Sequence, residues 1–336
     1  MALRKLSIGL AVAGLMVGTL LLAWYGFRPI GTALLSVGAG GFLVFCAWQL
    51  VTMVALGLCW RLVAPLNKPG RVGPFVWGRC VRDSAGSCLP FSVVGGFVLG
   101  VRAAVLHGVA WSVATVSLVV DLTAEFVAEI LFAIAGLVVL LVRASDQTLT
   151  RPILIGVVVA LAVVALMLGS QKRATSLLVR FGRTALRGRF AGPLAEEERE
   201  QSGEDLDRQL SEMFGHSGRV ALCTAGHVVG WVFKGVGNWI AFRLLGSDID
   251  LVTGLAIEAL LHALLIPAFV VPGYAGVQEA GYAGIGALFG IPPEVSLSVS
   301  LLRRARDLAL GIPILLVWQL AEVRRLNKPN SPATLS

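Results

Sequence analysis

The chain has 336 residues, of which 56% are hydrophobic and 14% are charged, and its mean hydropathy is +0.81. This composition excludes a soluble globular domain and indicates a polytopic membrane protein. The net charge of +8 does not indicate nucleic-acid binding, because the basic residues lie in loops beside apolar segments, as the positive-inside rule describes. The five cysteines form no C-x-x-C pair, so we expect neither structural disulfides nor zinc.

Six apolar runs are long enough to cross about 30 Å of hydrocarbon. They cover residues 6–27, 34–63, 109–142, 152–170, 218–245 and 294–322. The first run follows Arg4 and Lys5, as the apolar part of a signal peptide would. It is long and no A-x-A cleavage site follows it, so we expect a retained first helix.

Two further apolar regions, residues 75–107 and 251–289, are interrupted by helix-breaking residues. The breaks fall at Pro90 and at Pro272-Gly273, which predicts two helical hairpins with these residues at their tips. We therefore expect an all-α integral membrane protein with six full spans and two hairpins that dip into the membrane and return. Eight full spans is the alternative.

The distribution of basic residues predicts the orientation of the chain in the membrane. Basic residues are frequent in the loop after the second span, in the loop of residues 171–217 and in the C-terminal tail. The loops near residues 28, 143–151 and 246–250 are short and contain fewer of them. Both termini are therefore expected on the cytoplasmic side.

The same features predict the domain organisation. The loop of residues 171–217 is basic and apolar in its first half and acidic in its second, which favours a solvated amphipathic linker over a site for a partner. The expected units are a first helix (1–28), a first repeat (30–170), this linker (171–217), a second repeat (218–322) and a tail (323–336).

A shift of 182 positions brings two parts of the chain into register without a gap. Pro90 then falls on Pro272, and Gly108 falls on Gly290. The charged positions also coincide, with Asp121 on Arg303 and Glu125 on Asp307. Few pairs are identical, so chance is an alternative. The two copies begin on opposite sides of the membrane, and the sequence therefore predicts an inverted repeat of the kind found in transporters.

Two predicted spans carry charged residues in their interior. Ser117, Asp121, Glu125 and Glu129 recur every four residues of one helix and so share a face. The other helix contains Arg303, Arg304, Arg306 and Asp307. Each charge would cost about 2.5–3.5 kcal/mol if it faced lipid, so the acids are expected to pair with the three arginines. The pairs either lock two helices together or line a polar cavity for a lipid headgroup.

Further polar side chains lie at helical spacing in the second half of the chain. They are His227, Trp231, Lys234, Asn238, Glu258, His262, Gln278 and Glu279. Lys234, Gln278 and Glu279 are candidate headgroup contacts. Glu258 and His262 supply only two potential zinc ligands, so we expect no metal. The first hairpin carries Arg79, Arg82 and Asp83, which are also compatible with a hairpin that lies on the membrane surface.

Three segments give the chain a family resemblance. They are VPGYAGVQEAGY…GIPPEVSLSVSLLRRARDL, RDSAGSCLPFSVVGGFVLG and VVDLTAEF. Together they resemble the transmembrane "flippase-like" domain of lysylphosphatidylglycerol synthases, and within that family the stand-alone proteins associated with hopanoid biosynthesis (the HpnL type). The resemblance implies lipid translocation or handling in a bacterial cytoplasmic membrane. In the synthases a separate soluble domain transfers the aminoacyl group, and the chain ends 14 residues after the last predicted span, so that activity is not expected.

The function expected from residues and resemblance together is ATP-independent movement of a polar lipid, with a hopanoid as one possibility. No P-loop, Rossmann fingerprint or nucleophile elbow is present, so no cofactor and no catalytic residue are expected. The alternatives are a membrane scaffold for lipid-biosynthesis enzymes and, with less support, a membrane-embedded lipid-modifying enzyme.

Overall fold

A computed structural model describes residues 35–64, 72–89, 92–143, 203–268 and 274–326, together with the single positions 155, 158, 162 and 271. Within these ranges the chain is helical and contains no strand, as predicted. The predicted span 6–27, most of the predicted span 152–170, the first part of the linker, residues 327–336 of the tail and the tip residues Pro90, Pro272 and Gly273 lie outside the described residues.

The first half of the chain contributes four described helices. They are α1 (Gly38–Val63), α2 (Gly73–Cys88), α3 (Ser92–Leu106) and α4 (Trp111–Arg143). The second half contributes a short helix followed by four more. They are α5 (Gly203–Gly215), α6 (Ser217–Leu244), α7 (Leu251–Leu265) with a 3₁₀ turn at Ile266–Ala268, α8 (Val277–Leu288) and α9 (Pro293–Leu326). The boundaries agree with four of the predicted spans and with both predicted hairpins.

Large apolar side chains are exposed along α1, α4 and α9. Examples are Leu43 (67%), Leu141 (57%) and Leu320 (58%). Apolar surface of this extent is incompatible with water and is expected where helices face lipid tails. By length and composition, α1, α4, α6 and the segment Leu251–Ala268 can each cross a membrane. That last segment was predicted as a hairpin arm, so its length keeps the eight-span alternative open.

The described helices follow the predicted repeat. At an offset of 182, α1–α4 correspond in order to α6–α9, and α3 and α8 end at the equivalent residues Leu106 and Leu288. The glycine that follows each of these ends, Gly108 or Gly290, has a positive φ, +90° and +71° respectively. A left-handed backbone at the same place in both halves is a conformation that favours glycine. The agreement of order, boundaries and turn geometry supports an internal repeat.

The two repeats pack into each other. The first arm of each hairpin lies against the long helix of the other repeat, so α2 packs on α9 and α7 packs on α4. At each of these two contacts a glycine lets the helix backbones lie close together. A Cβ at Gly136 would lie 2.6 Å from Ala259 Cβ, and one at Gly311 would lie 2.5 Å from Cys88 Sγ. Gly226 of α6 likewise lies against Cys59 of α1. Small residues that let backbones approach are a common basis of helix association in membranes.

The helix α5 belongs to the predicted linker. It packs against α4, and Met213, Leu210 and Phe214 join the apolar cluster that includes Trp60.

The connection between α6 and α7 is held by Asp250, which caps α7 by accepting from the Thr253 amide and also pairs with Arg143. Hydrogen bonds to the ionised carboxylate lower the pKa of Asp250 to about 2, and those from Thr253 contribute more than the one from Arg143.

Candidate functional site

A first cluster of buried charges joins α2 to α4. The Arg79 guanidinium donates to both carboxylate oxygens of Glu125, at 2.7 and 3.1 Å. Arg82 donates to Glu125 at 2.6 Å and to Asp121 at 3.4 Å. Arg79 also donates to Asp83, one turn later on its own helix, at 2.9 Å. A two-pronged arginine–carboxylate pair is the strongest form of this interaction, so the cluster fixes α2 relative to α4.

The other face of Asp121 is closed by α6. His227 Nε2 lies 2.8 Å from Asp121 Oδ1, and Cys223 Sγ lies 3.7 Å from the same oxygen. Among the described residues these three form the group that could geometrically hold a metal ion. The carboxylate is already shared between His227 and the Arg82 guanidinium, and we therefore assign the group to the hydrogen-bond network of the first cluster.

A second cluster joins α7 to α9. Arg303 donates to Glu258 at 2.6 Å and to the Tyr282 hydroxyl at 3.2 Å, and it lies 3.1 Å from His262 Nε2. The Tyr282 hydroxyl in turn donates to Asn238 of α6 at 2.8 Å. This cluster is the counterpart of the first at the repeat offset, but the signs are exchanged. In the first repeat the hairpin arm is cationic and the long helix is acidic, whereas in the second the arm is acidic and the long helix is cationic.

Two further arginines of α9, Arg304 and Arg306, pair with acids outside the second cluster. Arg304 donates to Glu279 at 2.7 Å, and the other oxygen of Glu279 accepts from the Gly276 amide at the start of α8. Arg306 donates to the adjacent Asp307 at 2.7 Å, and its guanidinium lies 4.6 Å from the centre of the Phe45 ring. Gln278 donates to Ser300 at 3.0 Å. The start of α8 is therefore tied to the charged turn of α9.

The two clusters face a common cavity of about 540 Å³, a size typical of small-ligand sites. Both repeats contribute to its wall. Its lining includes six basic residues, five acidic residues and one histidine, namely Arg79, Arg82, Lys234, Arg303, Arg304, Arg306, Asp83, Glu125, Glu129, Glu258, Asp307 and His262. Two exposed leucines, Leu89 (39%) and Leu308 (43%), also line it, so the cavity reaches the apolar surface of the bundle. A polar interior with an apolar rim suits an amphiphile.

The sequence model of the family described as "Lysylphosphatidylglycerol synthase TM region" matches residues 7–314. The chain belongs to this family. Neither a curated protein nor a solved structure matches it significantly. Membership of this family indicates a membrane lipid-related role, and the match does not distinguish between subgroups of the family.

One sequence-based prediction about the site is wrong. Asp121 and Glu125 do not pair with Arg303, Arg304 or Arg306, because Arg79 and Arg82 of α2 lie closer and already satisfy both carboxylates. The two charged helices nevertheless contribute to one cavity, since Glu125 and the three arginines all line it. Asp121 and Glu279 lie behind the cavity wall as partners of lining residues.

Helix α2 lies inside the bundle and not on the membrane surface. A hairpin on the membrane surface was left open for Arg79, Arg82 and Asp83, but α2 packs between α1 and α9, and Arg79 is 1% exposed. The sequence contains a pattern that could have predicted the burial of α2. Within each repeat, the charges on the first hairpin arm are opposite to those on the long helix, and opposite charges inside a membrane are expected to meet.

The pairing seen in this family member predicts where energetic coupling will be found. Arg79→Gln alone should reduce stability by about 3–5 kcal/mol, because Glu125 loses its bidentate partner inside the bundle. The double change Arg79→Gln/Glu125→Gln should cost clearly less than the sum of the single changes. Unfolding of the purified protein in detergent, followed by helical circular dichroism against denaturant, measures each value.

The control is the pair suggested by the sequence, Glu125 and Arg303. Their changes to glutamine should add to within about 0.5 kcal/mol, as for residues without a shared contact. Strong coupling of Glu125 to Arg303, with additivity for Glu125 and Arg79, would contradict the described arrangement.

Proposed function

We propose that this protein moves a polar lipid between the two leaflets of a bacterial cytoplasmic membrane without ATP. The observation that carries the proposal is the charged cavity between the two repeats, which opens beside Leu89 and Leu308. A headgroup in the cavity would meet guanidinium, ammonium and carboxylate groups while its tails remained among the apolar side chains of the rim. Movement of a headgroup through hydrocarbon is slow because its polar groups lose hydration, and a charged path removes much of that cost.

The repeat architecture supports transport rather than a fixed binding site. Transporters built from two related halves place the substrate site between the halves, and a change in their relative position opens it to either side. Here the arginine–carboxylate pairs of each cluster connect a hairpin arm to the long helix of the same repeat. The repeats contact each other where α2 packs on α9, α7 packs on α4 and α6 packs on α1 and α4. Two internally tied units around one cavity fit this mode of action.

The nature of the lipid is part of the proposal. The resemblance to the HpnL type favours a hopanoid or another polar lipid, and we propose no enzymatic step and no cofactor. The guanidinium groups of Arg304 and Arg306 are suited to phosphate or polyol oxygens, since arginine presents several donors in a fixed plane. Asp121, Glu125, Asp307, Lys234, Gln278 and Glu279 would shape and orient the same site.

Transport of labelled lipid by purified protein in vesicles tests the proposal. Arg304→Gln and Arg306→Gln should each slow transbilayer movement about tenfold or more, because an amide cannot replace a charge-assisted hydrogen bond worth about 1.5–3 kcal/mol. Arg243→Gln is the matched control, since Arg243 pairs with Asp248 at the exposed end of α6, outside the cavity. It should transport at the wild-type rate.

The lipids tested should include phosphatidylglycerol, phosphatidylethanolamine and a hopanoid, each with a fluorescent label on a tail. Equal rates in wild type and both cavity variants would contradict the headgroup role of the arginines. Absence of protein-dependent movement for every lipid would contradict the transport function and favour a scaffold that binds lipid-biosynthesis enzymes.

We also propose that both termini face the cytoplasm. Two single cysteines in a Cys-free background test this, one replacing Ser247 between α6 and α7 and one replacing Ser331 in the tail. In intact cells an impermeant maleimide should label Ser247→Cys but not Ser331→Cys, and after the membrane is opened it should label both. The reverse pattern in intact cells would contradict the orientation.

A further inference from the structure

Glu129 differs from every other buried carboxylate among the described residues. Six acidic side chains are buried there, and five of them accept a hydrogen bond from an arginine or a histidine. The five are Asp121 (from His227), Glu125 (from Arg79), Glu258 (from Arg303), Glu279 (from Arg304) and Glu322 (from Arg102). Glu129 is 8% exposed and accepts no hydrogen bond in the described part of the chain. Its carboxylate lines the cavity.

The groups around Glu129 leave its charge without a direct partner. His262 Nδ1 of α7 lies 3.9 Å from Glu129 Oε1, beyond hydrogen-bond distance. Lys234 of α6 also lines the cavity, but its ammonium lies over the Trp231 ring, 3.7 Å from the ring centre. Tyr274, before α8, lines the same cavity as Glu129. Glu125, one turn earlier, is held by arginines. The helices α1, α3 and α5 contact α4 mainly through the apolar cluster in its first half.

An ionised carboxylate in this position is costly, because neither water nor a nearby cation balances it fully. Binding a proton removes the charge. Entry of a cation or of water into the cavity also lowers the free-energy cost of the ionised carboxylate. Glu129 is therefore placed to exchange a proton with the cavity as the cavity fills and empties.

His262 connects Glu129 to the second charge cluster. Its Nε2 lies 3.1 Å from Arg303 NH2 and 3.1 Å from Glu258 Oε1. A guanidinium nitrogen can only donate, so in one neutral tautomer Nε2 accepts from Arg303 and the ring proton is on Nδ1, 3.9 Å from Glu129. In the other neutral tautomer Nε2 carries the proton and donates to Glu258. When the ring gains a second proton, Nε2 donates to Glu258 and can no longer accept from Arg303. Proton arrival thus weakens the hold of α7 on a cavity-lining arginine.

We infer that Glu129 is a proton-binding site and that lipid movement through the cavity is coupled to proton movement across the membrane. The inference rests on the proposed transport function. A proton enters from water on one side, binds a Glu129 carboxylate oxygen, passes to His262 or returns to the cavity, and leaves to water on the other side. Only O–H and N–H bonds form and break, and no oxidant, reductant or nucleotide is required.

Infrared difference spectroscopy detects the proton without knowledge of the lipid. On titration from alkaline to mildly acidic pH, wild-type protein should gain the C=O band of a protonated buried carboxyl group. Glu129→Gln should lose this band, and Glu129→Asp should shift it. The matched control is Glu212→Gln, since Glu212 is exposed on α5, and it should retain the band. A band that persists unchanged in Glu129→Gln would overturn the assignment to Glu129.

Transport in vesicles with an imposed pH gradient tests the coupling. The probes are phosphatidylglycerol and phosphatidylethanolamine labelled on a tail, with a pH dye inside the vesicles. In wild type and Glu212→Gln the gradient should shift the leaflet distribution away from equality, and in Glu129→Gln this shift should be lost. Wild-type transport that ignores the gradient would overturn the coupling and leave the transport function standing. No movement of either probe in any vesicle would overturn both.

Discussion

The structure depends on the pairing of opposite charges inside an apolar bundle. Arginines inside a membrane are tolerated only with a partner, and here the charges on the hairpin arm of each repeat pair with those on its long helix. Arg79 and Arg82 satisfy Glu125 and Asp121, and Glu258 satisfies Arg303. Removal of one member leaves an uncompensated charge that costs about 3–5 kcal/mol. The pairs therefore decide how each hairpin docks against its long helix.

The exchange of sign between the repeats has a consequence for the cavity. A cavity lined by two clusters of the same polarity would bind a counter-ion tightly and release it slowly. With one acidic and one cationic long helix, the wall presents six cations and five acids at short range. In the proposed transport, a headgroup would contact groups of both signs and would not be held by an excess of either. Weak, distributed contacts would then favour its passage through the cavity, as they do for other pathways through membranes.

Much of the fold could be predicted from the sequence, because helix length, helix-breaking residues and repeat offset are local properties. The spans around α1, α4, α6 and α9 and the equivalence of Gly108 with Gly290 were accessible in this way. The partners of Asp121 and Glu125 were not, since depth along a helix does not say which neighbour lies across from it. The packing of α2 against α9 determines which residues lie across from Asp121 and Glu125. That packing depends on contacts between residues far apart in sequence, such as Gly311 with Cys88.

Capture of a headgroup in the cavity tests the central claim most directly. Purified protein in vesicles would receive a phospholipid with a photoreactive headgroup, and adducts would be mapped by mass spectrometry. We predict adducts at cavity residues such as Trp231, Lys234 and Gln278, reduced by excess unlabelled lipid. The same lipid with the photoreactive group on a tail should label the outer face near Leu316 and Leu320. Headgroup adducts confined to that outer face would contradict the account.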